Sequence, residues 1–156
     1  MTKQIKAVAV MVVIGFCTLA LARPVKLWSY EEMLKEAEVV LVATGVGSKD
    51  MGIAADGRPE SWVPMQTTFK PLVVLKGKVE GPCVVEHYRY ADKMGAVVVV
   101  DGPAFVEFDV TGKTTYLLFL KREANGILTP VTGQMDPIDS VKIVSECQPP
   151  RQEAAK

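Results

Sequence analysis

The chain contains a single histidine, His87, in the stretch Val84-Val85-Glu86-His87-Tyr88-Arg89-Tyr90, and that count decides most of the chemistry open to it. A Ser/His/Asp triad needs one histidine and does not require its members to be neighbours in sequence. No Gly-x-Ser-x-Gly elbow is present, however, and His87 sits in the middle of a β-prone run, where a scaffold histidine is the simpler reading. A small exported hydrolase using His87 therefore stands as the alternative. Histidine-based zinc sites draw on several His or Cys side chains. The three cysteines, Cys17, Cys83 and Cys147, form no Cys-x-x-Cys pair. Asp50, Asp56 and Glu60 invite a calcium reading, but Gly52 and Ala54 occupy the third and fifth positions, where an EF-hand starting at Asp50 needs oxygen ligands. Glu107 and Asp109 share a strand face without a recognisable cleft. Phosphate-binding glycine loops are missing. The residues thus call for no catalytic group, metal or cofactor.

Recognition chemistry is better supplied. Glu86, Tyr88 and Tyr90 share one strand parity and Val85, His87 and Arg89 the other, so aromatic and cationic groups alternate along one segment. Such a strand suits a sugar or a peptide if exposed, or a core with tyrosine hydroxyls at its rim if covered. Trp62 closes a long Gly- and Pro-containing loop, Ser48 to Ser61, and is either a core plug or an exposed anchor. Gln134 and Asp136 lie in a second loop, Gly133-Gln134-Met135-Asp136-Pro137. Loops carry recognition more often than packed strands do, and Arg58, Trp62, Tyr88, Arg89, Gln134 and Asp136 form the candidate binding set.

The elements that must position these groups are mostly strands. Ser29 with Glu32 three residues on is a capping box, and Trp28 before it can staple onto Met33, so a helix is expected over about 30–37. A β-prone run starts at Val39 and is expected to end at Gly45 and Gly47. It is followed by the runs from Thr67, Cys83, Gly95, Ala104 and Thr114, punctuated by Gly and Pro. In Ala104–Val110, Val106, Phe108 and Val110 point one way, and Glu107 and Asp109 the other. In the run Tyr116–Leu120 both parities are apolar, which predicts a central strand covered on both faces. Pro71 marks an edge or a bulge. Asn125-Gly126 predicts an antiparallel hairpin turn, and Pro130 restricts the strand after it to an edge or a bulge. A last strand or turn is expected around Ser140–Ser145, and a disordered tail from Cys147. The fold class is mainly β with one N-terminal helix, an OB-like Greek-key barrel or else a β-sandwich.

Cellular address comes from the first 22 residues. Lys3 and Lys6 precede an uncharged apolar run, Ala7 to Leu21, with Ala20 and Ala22 as small residues before Arg23. That is the layout of a cleaved signal peptide; the run is short for a membrane span, although a retained anchor is the other option. The expected product is a single domain over 23–146, periplasmic, envelope-bound or secreted. Export would let Cys83 and Cys147 pair, and the sequence leaves the pairing open. Basic and acidic side chains balance at 18 each, which removes any electrostatic case for a nucleic-acid partner.

The run Val39–Ser48, a long loop, Thr67–Gly77 ending Leu-Lys-Gly, and Tyr116-Leu117-Leu118-Phe119 leading to Asn125-Gly126 together resemble the netrin-like and tissue-metalloproteinase-inhibitor-like modules of extracellular proteins. The similarity covers about Glu38 to Gly133 and implies an OB-type barrel. Inhibitors of that kind use an N-terminal cysteine on the enzyme's zinc, whereas the processed chain here would begin at Arg23, so no inhibitory residue carries over. The resemblance implies a non-enzymatic module that binds a protein, peptide or glycan outside the cytoplasm. A structural envelope component is a third reading.

Overall fold

The computed structural model describes residues 26–52, 59, 61–91 and 102–146. The N-terminal segment read as a signal peptide, most of the loop before Trp62, the apolar run at 97–100 and the tail with Cys147 lie outside those residues. Helix α1 spans Tyr30–Glu36, and six strands follow: β1 Val39–Asp50, β2 Trp62–Lys76, β3 Cys83–Tyr90, β4 Thr114–Arg122, β5 Leu128–Pro130 and β6 Val141–Glu146. Five of them close a ring in the order β1-β2-β3-β5-β4, which returns to β1 through the β1–β4 pairing. The β3–β5 contact is parallel and the other pairings are antiparallel. The chain is therefore a mainly β protein built on a closed, OB-like five-stranded barrel with one short helix. Strand β6 extends the sheet by pairing with the first half of β4, while β5 takes the second half of the same edge.

The capping box forms as its residues require. Ser29 Oγ accepts the Glu32 N–H at 3.1 Å, and the Glu32 carboxylate accepts the Ser29 N–H at 2.9 Å. The far end of α1 is closed by Lys76 Nζ, which donates to the Leu34 and Lys35 carbonyls, a cation placed where the helix dipole is negative.

Strand β4 is apolar on both parities because it separates two cores. Tyr116, Leu118 and Leu120 face the barrel interior with Val39, Leu41, Ala43, Phe69 and Val85. Phe119 faces outward into a second cluster with Met33, Ala37, Val40 and Val131, against which Leu117 and Trp28 pack. Burying these side chains is the main stabilising term, at roughly 25 cal/mol per Å² of apolar surface.

Three sequence expectations meet a different outcome. β1 does not stop at Gly45 and Gly47 but runs on to Asp50, with a register shift between the two glycines. A Cβ on Gly45 would lie 2.5 Å from the Asp109 carbonyl oxygen, so this glycine admits a crossing chain and does not end the strand. The segment Ala104–Val110 is not a strand: both edges of β4 are already taken, and the segment inserts Val106 and Phe108 against the interior core, with the Asp109 N–H donating to the Tyr116 hydroxyl at 2.7 Å. β5 is flanked by both β3 and β4, so Pro130 does not mark an edge; it is the last paired residue of a three-residue strand. The Asn125-Gly126 turn forms as expected, with Gly126 N–H donating to the Glu123 carbonyl and the Asn125 side chain accepting from Ile127 N–H. Pro71 sits opposite Ala43 beside a register shift, on the part of β2 that extends past β3.

Candidate functional site

Residues of one end of the barrel come together on the outer face of β2 and β3. Pairing of Trp62 with Tyr90 and of Pro64 with Tyr88 fixes the register, and alternation sends Tyr88 outward where its neighbour His87 points inward. The Trp62 ring meets Tyr88 at a centroid distance of 6.4 Å and Phe105 at 5.5 Å, both edge-on, and Phe105 meets Tyr90 at 4.7 Å. Edge-to-face geometry at these distances is the favoured arrangement of aromatic quadrupoles. Tyr88 is buried beneath this layer, whereas Trp62, Tyr90 and Phe105 are half-buried. Trp62 is thus neither a plug of the barrel interior nor a free anchor, but part of an outer aromatic layer. The Tyr90 hydroxyl donates to the Pro103 carbonyl at 2.7 Å and ties the 103–105 segment to the strand.

Polar groups flank the rings. Arg89 donates to the Tyr90 carbonyl at 3.0 Å and to Asp50 at 3.2 Å, a half-exposed ion pair that joins the end of β1 to β3. Gln66 donates to Glu86 at 2.9 Å across β2 and β3. Asp136 accepts the Ala104 N–H at 3.3 Å, which brings the 133–137 loop beside Phe105 and hence to the same end as Trp62. Of the candidate set, Trp62 and Tyr88 meet directly, while Arg89 stands at the same end of β3 but on the face of His87, tied to the Tyr90 carbonyl and Asp50. Asp136 joins the two rings through residues 104 and 105. Gln134 lies half-buried in the same loop, and Arg58 lies outside the described residues. Phe105, Gln66 and Glu86 also belong to the outer surface. Phe105 had one signal in the sequence: it is an aromatic residue at the parity of Glu107 and Asp109.

His87 lies elsewhere, inside the barrel. It is 3% exposed, packs edge-on against Phe108, and its Nε2 is 2.8 Å from Thr67 Oγ1, itself 2.9 Å from Ser48 Oγ. Nδ1 faces the Tyr88 carbonyl, which can only accept, so Nδ1 carries the proton, Thr67 donates to Nε2, and Ser48 donates to Thr67. Burial pushes the imidazole down to about 4, the Tyr88 carbonyl opposing in part. Asp109 accepts the N–H groups of Thr111 and Thr114, and these bonds, Thr111 first, hold its carboxyl down at about 2. It braces the turn into β4. The Cys83 thiol is pushed up by burial, and its candidate partner Cys147 lies outside the described residues. Among the described residues no three His, Cys, Asp or Glu side chains gather into a metal-binding group, and no helix is long and apolar enough to cross a membrane.

The fold and this surface define a class: an OB-like barrel with an aromatic layer on its outer β2–β3 face and an ion pair at the same end of the strands, on the opposite face. No protein-family model matches the chain, and no curated protein matches its sequence.

Proposed function

We propose that the chain is an exported, non-enzymatic binding module that recognises a protein, peptide or glycan outside the cytoplasm through the outer face of β2 and β3. The observation that carries this reading is the convergence of four rings, Trp62, Tyr88, Tyr90 and Phe105, on one face, with the Arg89–Asp50 pair at the same end of the strands on the other. Aromatic faces with a neighbouring cation stack on sugar rings and peptide side chains, and OB-type barrels commonly bind through this strand pair. Export rests on the Lys3/Lys6–apolar–Ala22 layout of the N-terminus. The OB-like strand order also supports the netrin-like resemblance. Against a hydrolase stands the environment of His87, whose ring nitrogens are both engaged inside the core.

A glycan and peptide microarray probed with the labelled chain tests the reading. Binding should fall in Trp62→Ala and Arg89→Ala while circular dichroism stays unchanged. Array binding indifferent to both substitutions would overturn it, as would a turnover by the purified protein that His87→Ala abolishes.

A further inference from the structure

β2 is longer than its partner β3. The β2–β3 ladder stops at Phe69 opposite Cys83, while β2 continues through Lys70–Lys76 with only β1 beside it among the described residues. Within this extension four consecutive apolar residues are exposed: Leu72 at 52%, Val73 at 51%, Val74 at 39% and Leu75 at 59%. The β1–β2 register shifts at Leu72 and Leu75, which have no β1 partner; between them Val73 lies opposite Val42 and Val74 opposite Leu41, and these successive residues point to opposite faces, so both faces of the extension are uncovered. Beside it runs an open groove of about 510 Å³, lined by the extension together with Val46, Val79, Gly81 and Pro82.

We infer that this edge receives an extended segment of a partner protein, added in the plane of the sheet, with an apolar centre and a carboxylate at each end. Both-face exposure selects the in-plane mode. A partner lying on one face would leave the apolar side chains of the other in water, whereas an added strand abuts both and satisfies the edge backbone as well. Charge selects the flanks. Lys70 opens the extension and Lys78 lies just past its end, and neither has an ion-pair partner among the described residues, while Lys76 is committed to the α1 carbonyls. Glu80, further along the loop, is the one acid between Lys70 and Cys83. A second copy of the chain fits less well, because antiparallel self-pairing centred on Val73 sets Lys70 against Lys76, and like charges directly opposite destabilise a ladder. Pro71 and the flanking lysines are the devices by which edges resist indiscriminate pairing, and they leave Leu72–Leu75 as the stretch open to a matched strand. This surface is separate from the aromatic face and does not depend on it.

The experiment uses the 15N-labelled chain and two synthetic hexapeptide amides, EVVTVE and its charge-reversed counterpart KVVTVK, followed by amide shifts. The acidic peptide should shift the amides of residues 72–75 and slow their hydrogen exchange, and the basic peptide should not. Val73→Glu, at an exposed position, should weaken binding by about tenfold or more through lost apolar contact and like charge, with the dispersed spectrum retained. Ile143→Glu on the exposed β6 should leave binding unchanged. Equal binding of both peptides, shifts confined to β6, no shift at millimolar peptide, or a dimer of the chain that Val73→Glu dissolves would each overturn the assignment.

Discussion

Acidification should destabilise this protein through His87, and down to about pH 5 no other described group with a shifted titration contributes appreciably. The imidazole titrates at about 4 in the folded chain, against 6.5 when unperturbed. At pH 5 the unfolded chain binds a proton at this site and the folded chain does not, so the depressed value favours unfolding as protons are added. Stability is complete above pH 6.5 and falls as the pH drops toward 4, below which the loss levels off. Linkage over this shift gives about 2 kcal/mol lost by pH 5 and roughly 3 kcal/mol by pH 4. Asp109 and Glu123, both held low by hydrogen bonds led by Thr111 and Thr129 respectively, lose their contributions only at lower pH, near and below the ordinary carboxylate range. Urea unfolding followed by tryptophan fluorescence at half-unit steps from pH 7.5 to 5 measures the slope. His87→Phe keeps a planar ring beside Phe108, leaves Thr67 bonded to Ser48, and should flatten the curve. A wild-type protein equally stable at pH 7 and 5, or a variant with the same slope as wild type, would refute the neutral buried imidazole.

Three further substitutions probe how the frame is held. Ser29→Ala removes the cap on α1 and should cost about 1 kcal/mol in urea unfolding; a negligible change would mean that the helix is held by packing alone. Gly77→Ala should cost about 2 kcal/mol or more, because Gly77 has φ 79° and a Cβ there would run into the Glu38 carbonyl; an unchanged thermal midpoint would contradict that close approach. Phe108→Ala should cost about 2–3 kcal/mol by emptying a site against Phe69, His87 and Tyr116, and its loss should also raise solvent exchange at the His87 ring protons, seen by NMR.

What could be read from the sequence was whatever is decided locally. The capping box needs only Ser29 and Glu32, the hairpin only Asn125 and Gly126, and the double burial of β4 shows in its unbroken apolar parity. What could not be read depends on which edges are already occupied. The alternation of Val106 and Phe108 gives the correct inward face, but whether that segment pairs is decided by β1, β5 and β6 having already filled both sides of β4. Gly45 looks like a terminator until the Asp109 carbonyl is found against it. The same limit applies to the candidate site. Trp62 and Tyr88 could be nominated from residue type, but their partner Phe105 arrives from a segment that no local pattern connects to β2.

The interior leaves little room for chemistry. Phe69, Phe108 and Tyr116 meet edge to face beside His87, and Thr67 at its Nε2 is fully buried, so a substrate could reach the imidazole only by displacing the packing that closes the barrel. The proposed recognition is therefore assigned to the outside of the barrel, and the length of β2 sets how its two proposed surfaces are arranged. Its first half is held in the ring by β3 and carries the aromatic face. Its second half passes beyond β3 and carries the open edge. The fully buried Phe69 sits where the two halves meet. Trp62 and Val73 lie eleven residues apart along this strand and, among the described contacts, share no partner. Substitutions at such separated sites add independently within about 0.5 kcal/mol. The double variant Trp62→Ala/Val73→Glu should accordingly lose both binding activities by the same factors as the two single variants. Coupling between them would mean that the strand transmits strain through Phe69 and that the two surfaces work as one.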